Sequence, residues 1–148
     1  MSKRKYVVMH HSRTSEQKDI HKKIIADGVC PFCWNNFLKY HTKPIVEKGS
    51  YWLVTNNAWP YKGTSAHLLL VLKRHIEHVN LLKKKEWEEL YKYIKKHSPR
   101  DGGSFFIRFG DADKTGASVT HLHCHIVVGG KRKSNRTKRL TIPLGYKT

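Results

Sequence analysis

Cysteines and acidic residues are scarce in this sequence, and long apolar runs are absent. No run of ~18 or more apolar residues occurs, so we expect no membrane-spanning helix. The charged N-terminus lacks the apolar core of a signal peptide, which predicts a cytoplasmic protein. The cysteine count is 3, and two of these cysteines form the motif Cys30-Pro31-Phe32-Cys33. This odd number and this spacing argue against a disulfide framework and for metal or redox chemistry.

The deficit of acidic residues leaves a strongly basic chain. The sequence has 11 Asp and Glu residues against 29 Lys and Arg residues, which gives a formal net charge of +18. Such a charge suits a polyanionic partner, either nucleic acid or a small phosphorylated substrate, although lysine used for solubility gives the same composition. With 148 residues and a hydrophobic content of 39%, the chain is long and apolar enough for one folded domain.

Hydrophobic periodicity predicts an α+β domain. A long helix is expected over 84–97, because four large apolar side chains recur there at helical spacing: Trp87, Leu90, Tyr91 and Ile94. A shorter helix is expected over 15–26, with Ser15 as its cap. Apolar runs separated by turn residues predict about five strands, which favours an antiparallel sheet with the helices on one side. The expected strands cover residues 44–47, 51–55, 67–73, 104–109 and 119–128.

Three histidines alternate with apolar residues in the last of these strands. In the run His121-Leu122-His123-Cys124-His125, strand geometry places the imidazoles on one face and the intervening side chains on the other. Such an array can attack a substrate, move protons or bind a metal, but it can also be a solvated polar surface. Just upstream, Gly116 permits close approach of a ligand and Ser118 offers a hydroxyl to a phosphate oxygen.

These residues resemble the histidine triad (HIT) superfamily of nucleotide hydrolases and transferases. Residues 121–128 match its signature, in which three histidines alternate with apolar residues. The resemblance extends over about residues 28–130 and includes the segment Asn57-Ala58-Trp59-Pro60-Tyr61 and the strand that leads to His75. It implies a HIT-like catalytic domain over 15–130. The basic, poorly patterned composition outside that range predicts a flexible arm over 1–14 and a basic C-terminal tail over 131–148.

The resemblance also implies a role for each matched residue. His123 is the expected nucleophile at the α-phosphorus of a nucleotide, with its other ring nitrogen held by a backbone carbonyl. His125 is expected near the phosphate oxygens, and a histidine at this position favours hydrolysis over nucleotidyl transfer. The expected substrate contacts are the ribose at Asn57, the phosphate at Gly116 and Ser118, and the base at Trp59.

A metal site is expected at the cysteine motif. Alone, the spacing of Cys30 and Cys33 leaves open a redox pair, half of a zinc site, or no function. The chain resembles the zinc-bearing, diadenosine polyphosphate hydrolase-like branch of the superfamily, which implies that His75 and His121 complete the ligand set. We therefore expect a structural Zn²⁺ bound by Cys30, Cys33, His75 and the first triad histidine, His121.

The expected activity is hydrolysis of a phosphoanhydride or phosphoramidate through a nucleotidyl-histidine, with release of a nucleoside monophosphate such as AMP. The resemblance further implies a nucleotide substrate and a homodimer, with no membrane partner. One departure concerns Ala117, because many small relatives have glutamine there. Recognition of the leaving group is therefore either missing or supplied by nearby residues of the same loop: Asp111, Lys114 and Thr115.

Two other functions stay open. The first is a nucleic-acid-binding or deadenylating HIT protein that contacts phosphates through its basic segments: Lys3-Arg4-Lys5, Lys83-Lys84-Lys85 and the tail over 131–139. The second is a HIT-like adaptor without catalysis, which conflicts with the intact histidine triad.

Overall fold

The computed structural model describes residues 4–148 and shows an α+β domain built on a five-stranded sheet. The strand order is β1-β2-β3-β5-β4, and all neighbouring strands are antiparallel. The strands are β1 (Ile45–Lys48), β2 (Trp52–Asn56), β3 (Thr64–Leu72), β4 (Ser104–Ile107) and β5 (His123–Gly129). The α-helices are α1 (Ser15–Asp27), α2 (Trp34–Tyr40), α3 (Lys84–His97) and the single turn α4 (Ala112–Thr115). The predicted fold class is thereby confirmed.

Side chains alternate along β3 and β5, so each face of the sheet has its own apolar cluster. On one face, α3 packs its Leu90 and Tyr93 side chains against the larger cluster: Trp52, Val54, Leu70, Leu72, Leu122, Cys124 and Ile126. On the other face, Phe37 of α2 packs against Leu53, Leu69 and Val71. The expectation of helices on one side only was wrong. Helix α2 is short and buries a single residue, Phe37, so it leaves no periodic pattern in the sequence.

The predicted helices and turns differ from the observed ones mainly at their ends. Helix α1 is capped by Thr14, whose side chain accepts a hydrogen bond from the Gln17 amide, one residue before the expected cap. It ends at Gly28, which has a φ of 69° and therefore lies in the left-handed region that glycine tolerates. Among residues 4–148, no helix is long and apolar enough to cross a membrane.

Within the described residues, the segments near both termini contact other parts of the protein. Residues 1–14 were expected to form a flexible arm, but the described part of that segment forms a β-bridge between Val7 and Val119. Val7 is buried, and this burial of an apolar side chain holds the segment against the loop that precedes the histidines. At the other end, Tyr146 hydrogen-bonds His11. The division of the chain at residues 14 and 130 stays a prediction, and Lys3 lies outside the described residues.

Candidate active site and metal centre

His123 and His125 share one face of β5, as the sequence predicted. His123 pairs with Val71 and His125 with Leu69 on the neighbouring strand β3. The intervening residues Leu122, Cys124 and Ile126 belong to the core on the opposite face. The observed strand begins at His123, so His121 sits in the turn immediately before it. All three imidazoles are buried, with 1% of His121, 7% of His123 and 5% of His125 exposed.

A single cavity joins most of the predicted site residues. Its walls include His123 and His125 together with the four expected substrate contacts: Asn57, Trp59, Gly116 and Ser118. His121 does not line this cavity, because its ring lies behind the strand end beside the cysteine motif. No carboxylate lines the cavity among the described residues, so its polar wall consists of imidazoles, amide and hydroxyl groups, and two guanidinium groups.

The His123 ring is fixed in one tautomer. Its Nδ1 lies 2.7 Å from the carbonyl oxygen of His121, so Nδ1 carries the proton and donates it to that oxygen. The lone pair is therefore on Nε2. Burial lowers the pKa of His123 to about 4; the hydrogen bond to His121 opposes this shift, and the positive charge of Arg108 adds to it. At neutral pH the ring is consequently uncharged, and its residue lines the cavity.

His125 belongs to a chain of hydrogen bonds that sequence analysis missed. The amide of Tyr61 donates to Nδ1 of His67 at 3.1 Å, so the neutral His67 ring carries its proton on Nε2. That nitrogen lies 2.9 Å from Nδ1 of His125. His125 therefore accepts at Nδ1 and carries its own proton on Nε2. Burial lowers the pKa of His67 to about 4 and that of His125 well below its usual value, which keeps both rings neutral.

The substrate candidates Asn57, Gly116 and Ser118 line the same cavity as His125. Asn57 accepts a hydrogen bond from the Trp59 amide through Oδ1, at 2.8 Å, and its Nδ2 lies 3.1 Å from Nε2 of His67. Ser118 accepts a hydrogen bond from the Val8 amide through its backbone oxygen, at 2.9 Å. The residue lines the cavity. Gly116 ends the short helix α4 with a φ of 73°, which turns the chain back toward β5.

The four expected metal ligands come together around Nδ1 of His121. Nδ1 of His121 lies 3.4 Å from Sγ of Cys30, 3.7 Å from Sγ of Cys33 and 3.2 Å from Nδ1 of His75. Tetrahedral zinc with Zn–N near ~2.0 Å and Zn–S near ~2.3 Å gives ligand separations of roughly 3.3–3.8 Å. The cluster of Cys30, Cys33, His75 and His121 can therefore hold a metal ion.

The tautomers of the two histidines fit a cation between them. His121 lies 2.5 Å from the Leu72 carbonyl oxygen through Nε2, so it donates there and leaves Nδ1 with a lone pair. His75 lies 3.1 Å from a Glu77 carboxylate oxygen through Nε2 and is oriented in the same way. Two lone pairs facing each other beside two cysteines repel unless a cation or proton lies between them. The outer hydrogen bonds to a carbonyl and a carboxylate are those that commonly orient metal-binding histidines.

Two arginines beside the histidines were also missed. Arg108 follows β4 and Arg13 precedes α1, and both line the cavity. The residues expected to replace the missing glutamine do not line it: Asp111, Lys114 and Thr115. Arg108 directly follows the strand 104–107, and a charged residue at the end of such a mainly apolar run is a signal by which the sequence could have identified it. Arg13 left no signal, because its approach depends on the packing of the segment that contains Val7.

Comparison with known proteins identifies the fold. No family model and no curated protein matches the sequence. Among solved structures, a HIT family hydrolase from Clostridium thermocellum aligns with a TM-score of 0.51 at 20% identity, over 76% of this chain and 96% of that chain. A histidine triad protein from Clostridium difficile aligns with a TM-score of 0.50 at 25% identity, over 73% and 96%. A Zn-bound histidine triad family protein from Mycobacterium smegmatis aligns with a TM-score of 0.53 at 18% identity, over 77% and 83%. The chain therefore has the fold of the histidine triad proteins.

Proposed function

We propose that this protein is a nucleotide hydrolase that acts at the α-phosphate and releases a nucleoside monophosphate, with AMP the expected product. The observation that supports this most strongly is the state of His123. Its neutral ring donates through Nδ1 to the His121 carbonyl and has its lone pair on Nε2 at a cavity wall. An imidazole held in this way is prepared to form a bond to phosphorus without first losing a proton.

The reaction proceeds in two displacements. In the first, Nε2 of His123 attacks the α-phosphorus, the bond between phosphorus and the leaving-group atom breaks, and that atom keeps the electron pair. In the second, water attacks the nucleotidyl-histidine, and the P–N bond breaks with its electron pair returning to Nε2 of His123. Nε2 takes the water proton and then releases it to solvent, and the nucleoside monophosphate leaves. The Nε2 proton of His125 and the Ser118 hydroxyl are the groups available at the phosphate oxygens.

The metal site has a structural role in this proposal, and we propose Zn²⁺ as its occupant. Cys30 and Cys33 lie in the loop before α2, whereas His121 adjoins the catalytic strand. A bound ion would supply crosslinking between these segments and a fixed position for the His121 carbonyl. That carbonyl accepts the Nδ1 proton of His123. The protein's own groups carry out every chemical step.

Product analysis tests the proposed function. Purified protein is incubated with diadenosine tetraphosphate, ATP and adenosine 5′-phosphoramidate, and the products are separated by chromatography. AMP release is expected, and it should fall at least ~1,000-fold in His123→Ala, as is usual for loss of a covalent nucleophile. His78→Ala is the matched control, because His78 lies outside the cavity lining. Hydrolysis by His123→Ala at the rate of the parent would contradict the proposal.

A second candidate, binding of nucleic acid, is favoured by a basic groove beyond the end of β5. Five cationic side chains line it without a carboxylate among the described residues: Lys62, Lys131, Arg132, Lys138 and Arg139. Duplex binding should weaken steeply with added salt if these cations contact phosphates. Adenylate release from a nicked duplex would indicate end processing, and no duplex binding at moderate salt would remove this candidate.

We also propose a homodimer. The large exposed aromatic residues Trp87 and Tyr91 on α3 and Phe105 on the edge strand β4 are 44%, 66% and 57% exposed. Exposed aromatic side chains of this size are typical of protein interfaces. Sedimentation of the parent and of Phe105→Glu tests the assignment, since a monomeric parent would exclude it.

A further inference from the structure

The guanidinium groups of Arg13 and Arg108 both lie near Tyr61, and all three residues line the cavity. Their Cζ atoms lie 4.5 and 5.9 Å from the centroid of the Tyr61 ring. Neither arginine has a carboxylate partner among residues 4–148, and no carboxylate lines the cavity. Burial lowers the pKa of Arg13, and the charge of Arg108 adds to this shift. Two cations near each other without a counter-ion produce a positive potential that an anion would neutralise.

Arg108 is held in place by backbone and side-chain acceptors. Nε donates to the Thr115 carbonyl at 2.9 Å, and Nη2 donates to the Pro143 carbonyl at 2.6 Å. Nη1 donates to the Tyr61 hydroxyl at 2.8 Å. The guanidinium has five N–H groups, so one N–H on each terminal nitrogen remains for a ligand. The group needs little reorganisation before binding, because the protein fixes its plane.

Nη1 of Arg108 lies close to a second hydrogen-bond donor, the Nε2 N–H of His125. Nη1 lies 3.3 Å from Nε2 of His125. Because the chain from the Tyr61 amide through His67 places the His125 proton on Nε2, both atoms are donors. The N–H groups of Arg108 Nη1 and His125 Nε2 are therefore adjacent donors that cannot bond to each other. An anionic oxygen bound beside them would accept from both, and hydrogen bonds to charged groups are the stronger ones.

Arg13 also lies close to Tyr61. It donates to the Trp59 carbonyl through Nη2, and its plane lies over the Tyr61 ring. Most of its N–H groups are not used in these contacts. Its position depends on the packed segment before α1, in which Ser12 is buried. Arg13 and Arg108 therefore line the same cavity as Ala117, whose side chain has no polar group.

We propose that Arg13 and Arg108 form a second anion subsite, which binds the phosphate of the leaving group next to the α-phosphate. The inference rests on the proposed function and narrows its substrate class to nucleoside polyphosphates and dinucleoside polyphosphates. When His123 attacks, the bond from the α-phosphorus to the bridging oxygen breaks, and this oxygen takes the electron pair as part of the departing phosphate. The arginines stabilise the charge that develops on that phosphate.

A substrate pair with the same AMP half tests the subsite. Diadenosine tetraphosphate has a phosphate next to the scissile bond, whereas adenosine 5′-phosphoramidate has a neutral amine leaving group. The ratio of their kcat/KM values should fall at least ~10-fold in Arg13→Gln and Arg108→Gln. Arg13→Lys, which keeps the charge, should lose less. Arg100→Gln, at an exposed arginine outside the cavity lining, is the matched control and should keep the parent ratio.

The outcomes separate the subsite from the proposed function. If the parent releases AMP from both substrates and the ratio is unchanged in both glutamine variants with unchanged thermal midpoints, the subsite is wrong. If the parent releases AMP from neither, the proposed function is wrong. Calorimetry with pyrophosphate then tests the subsite alone. Binding that weakens at least ~10-fold in the double glutamine variant supports it, whereas no binding or equal binding overturns it.

Discussion

Nε2 of His67 lies 2.9 Å from Nδ1 of His125 and fixes the direction in which the third triad histidine presents its proton. The Tyr61 amide starts this chain by donating to Nδ1 of His67. A backbone group in the loop before β3 therefore determines the tautomer of a ring on β5. Tyr61 also stacks on His67, with 4.6 Å between ring centroids, which restricts rotation of the imidazole.

Replacing His67 should therefore disturb His125 specifically. In His67→Leu the His125 ring loses its donor at Nδ1, and its two tautomers become closer in energy. We expect kcat to fall about 10–100-fold, as is typical when an outer hydrogen-bond partner of a functional histidine is removed. Nitrogen NMR of the His125 ring gives the direct readout, with the proton on Nε2 in the parent and shared between the nitrogens in the variant. An unchanged ring spectrum would contradict this coupling.

The pH dependence of turnover should reflect a buried, neutral His123. Burial lowers the pKa of this ring to about 4, and only the unprotonated ring attacks phosphorus. Because protonation occurs when pH falls through the folded-state value, kcat/KM should be level from pH 6 to 8 and decline only near pH 4 to 5. The measurement is kcat/KM on diadenosine tetraphosphate across this range. A single inflection near ~6.5, the ordinary histidine value, would contradict the environment described for His123.

Metal analysis tests the four-residue cluster. We expect one zinc per chain in the parent and loss of the metal in Cys30→Ser, with a lower thermal midpoint because metal binding contributes to folding. Glu77→Gln keeps the ligands but weakens the hydrogen bond that orients His75, so the affinity should fall about 10–100-fold.

Cys124→Ala is the control for the metal experiment. Cys124 is fully buried in the core on the opposite face of the sheet and is not part of the cluster. This variant should therefore keep its zinc. A parent without stoichiometric metal, together with an unchanged thermal midpoint in Cys30→Ser, would refute the site.

Acid should destabilise the fold through its buried histidines. Burial lowers the pKa values of His21 and His67 to about 4, from about 6.5 in an unfolded chain. Between these two pKa values the unfolded state binds more protons than the folded state. The contribution of the two rings to the free energy of unfolding is therefore complete above about pH 6.5 and is lost as pH decreases toward 4. Each ring contributes on the order of 1–3 kcal/mol to this loss.

Denaturant titration from pH 7 to pH 4.5 measures that loss. In His21→Gln one titrating group is gone, and the variant should have a smaller slope of unfolding free energy against pH. Ser12 lies 2.5 Å from Nδ1 of His21 through its hydroxyl, so a glutamine amide can keep a polar contact there. A slope equal to that of the parent would show that His21 does not contribute.

The sequence predicted the parts of the site that follow from local periodicity. Alternation along β5 placed His123 and His125 opposite Cys124, and helical spacing located α3 at the bounds the structure shows. The cysteine spacing and the resemblance located the metal cluster. Residues brought in by long-range packing left no such pattern. Arg13 lines the cavity from the N-terminal segment that Val7 bridges to Val119, and α2 was missed because Phe37 is its only buried residue.

The most direct test of the account is detection of the covalent intermediate. Parent protein is mixed with diadenosine tetraphosphate, quenched during turnover at alkaline pH, digested and analysed by mass spectrometry. We predict an AMP adduct on the peptide that contains His123, located on that residue by fragmentation and absent in His123→Ala. Turnover that releases AMP while no adduct forms on this histidine, with His123→Ala still active, would contradict the account.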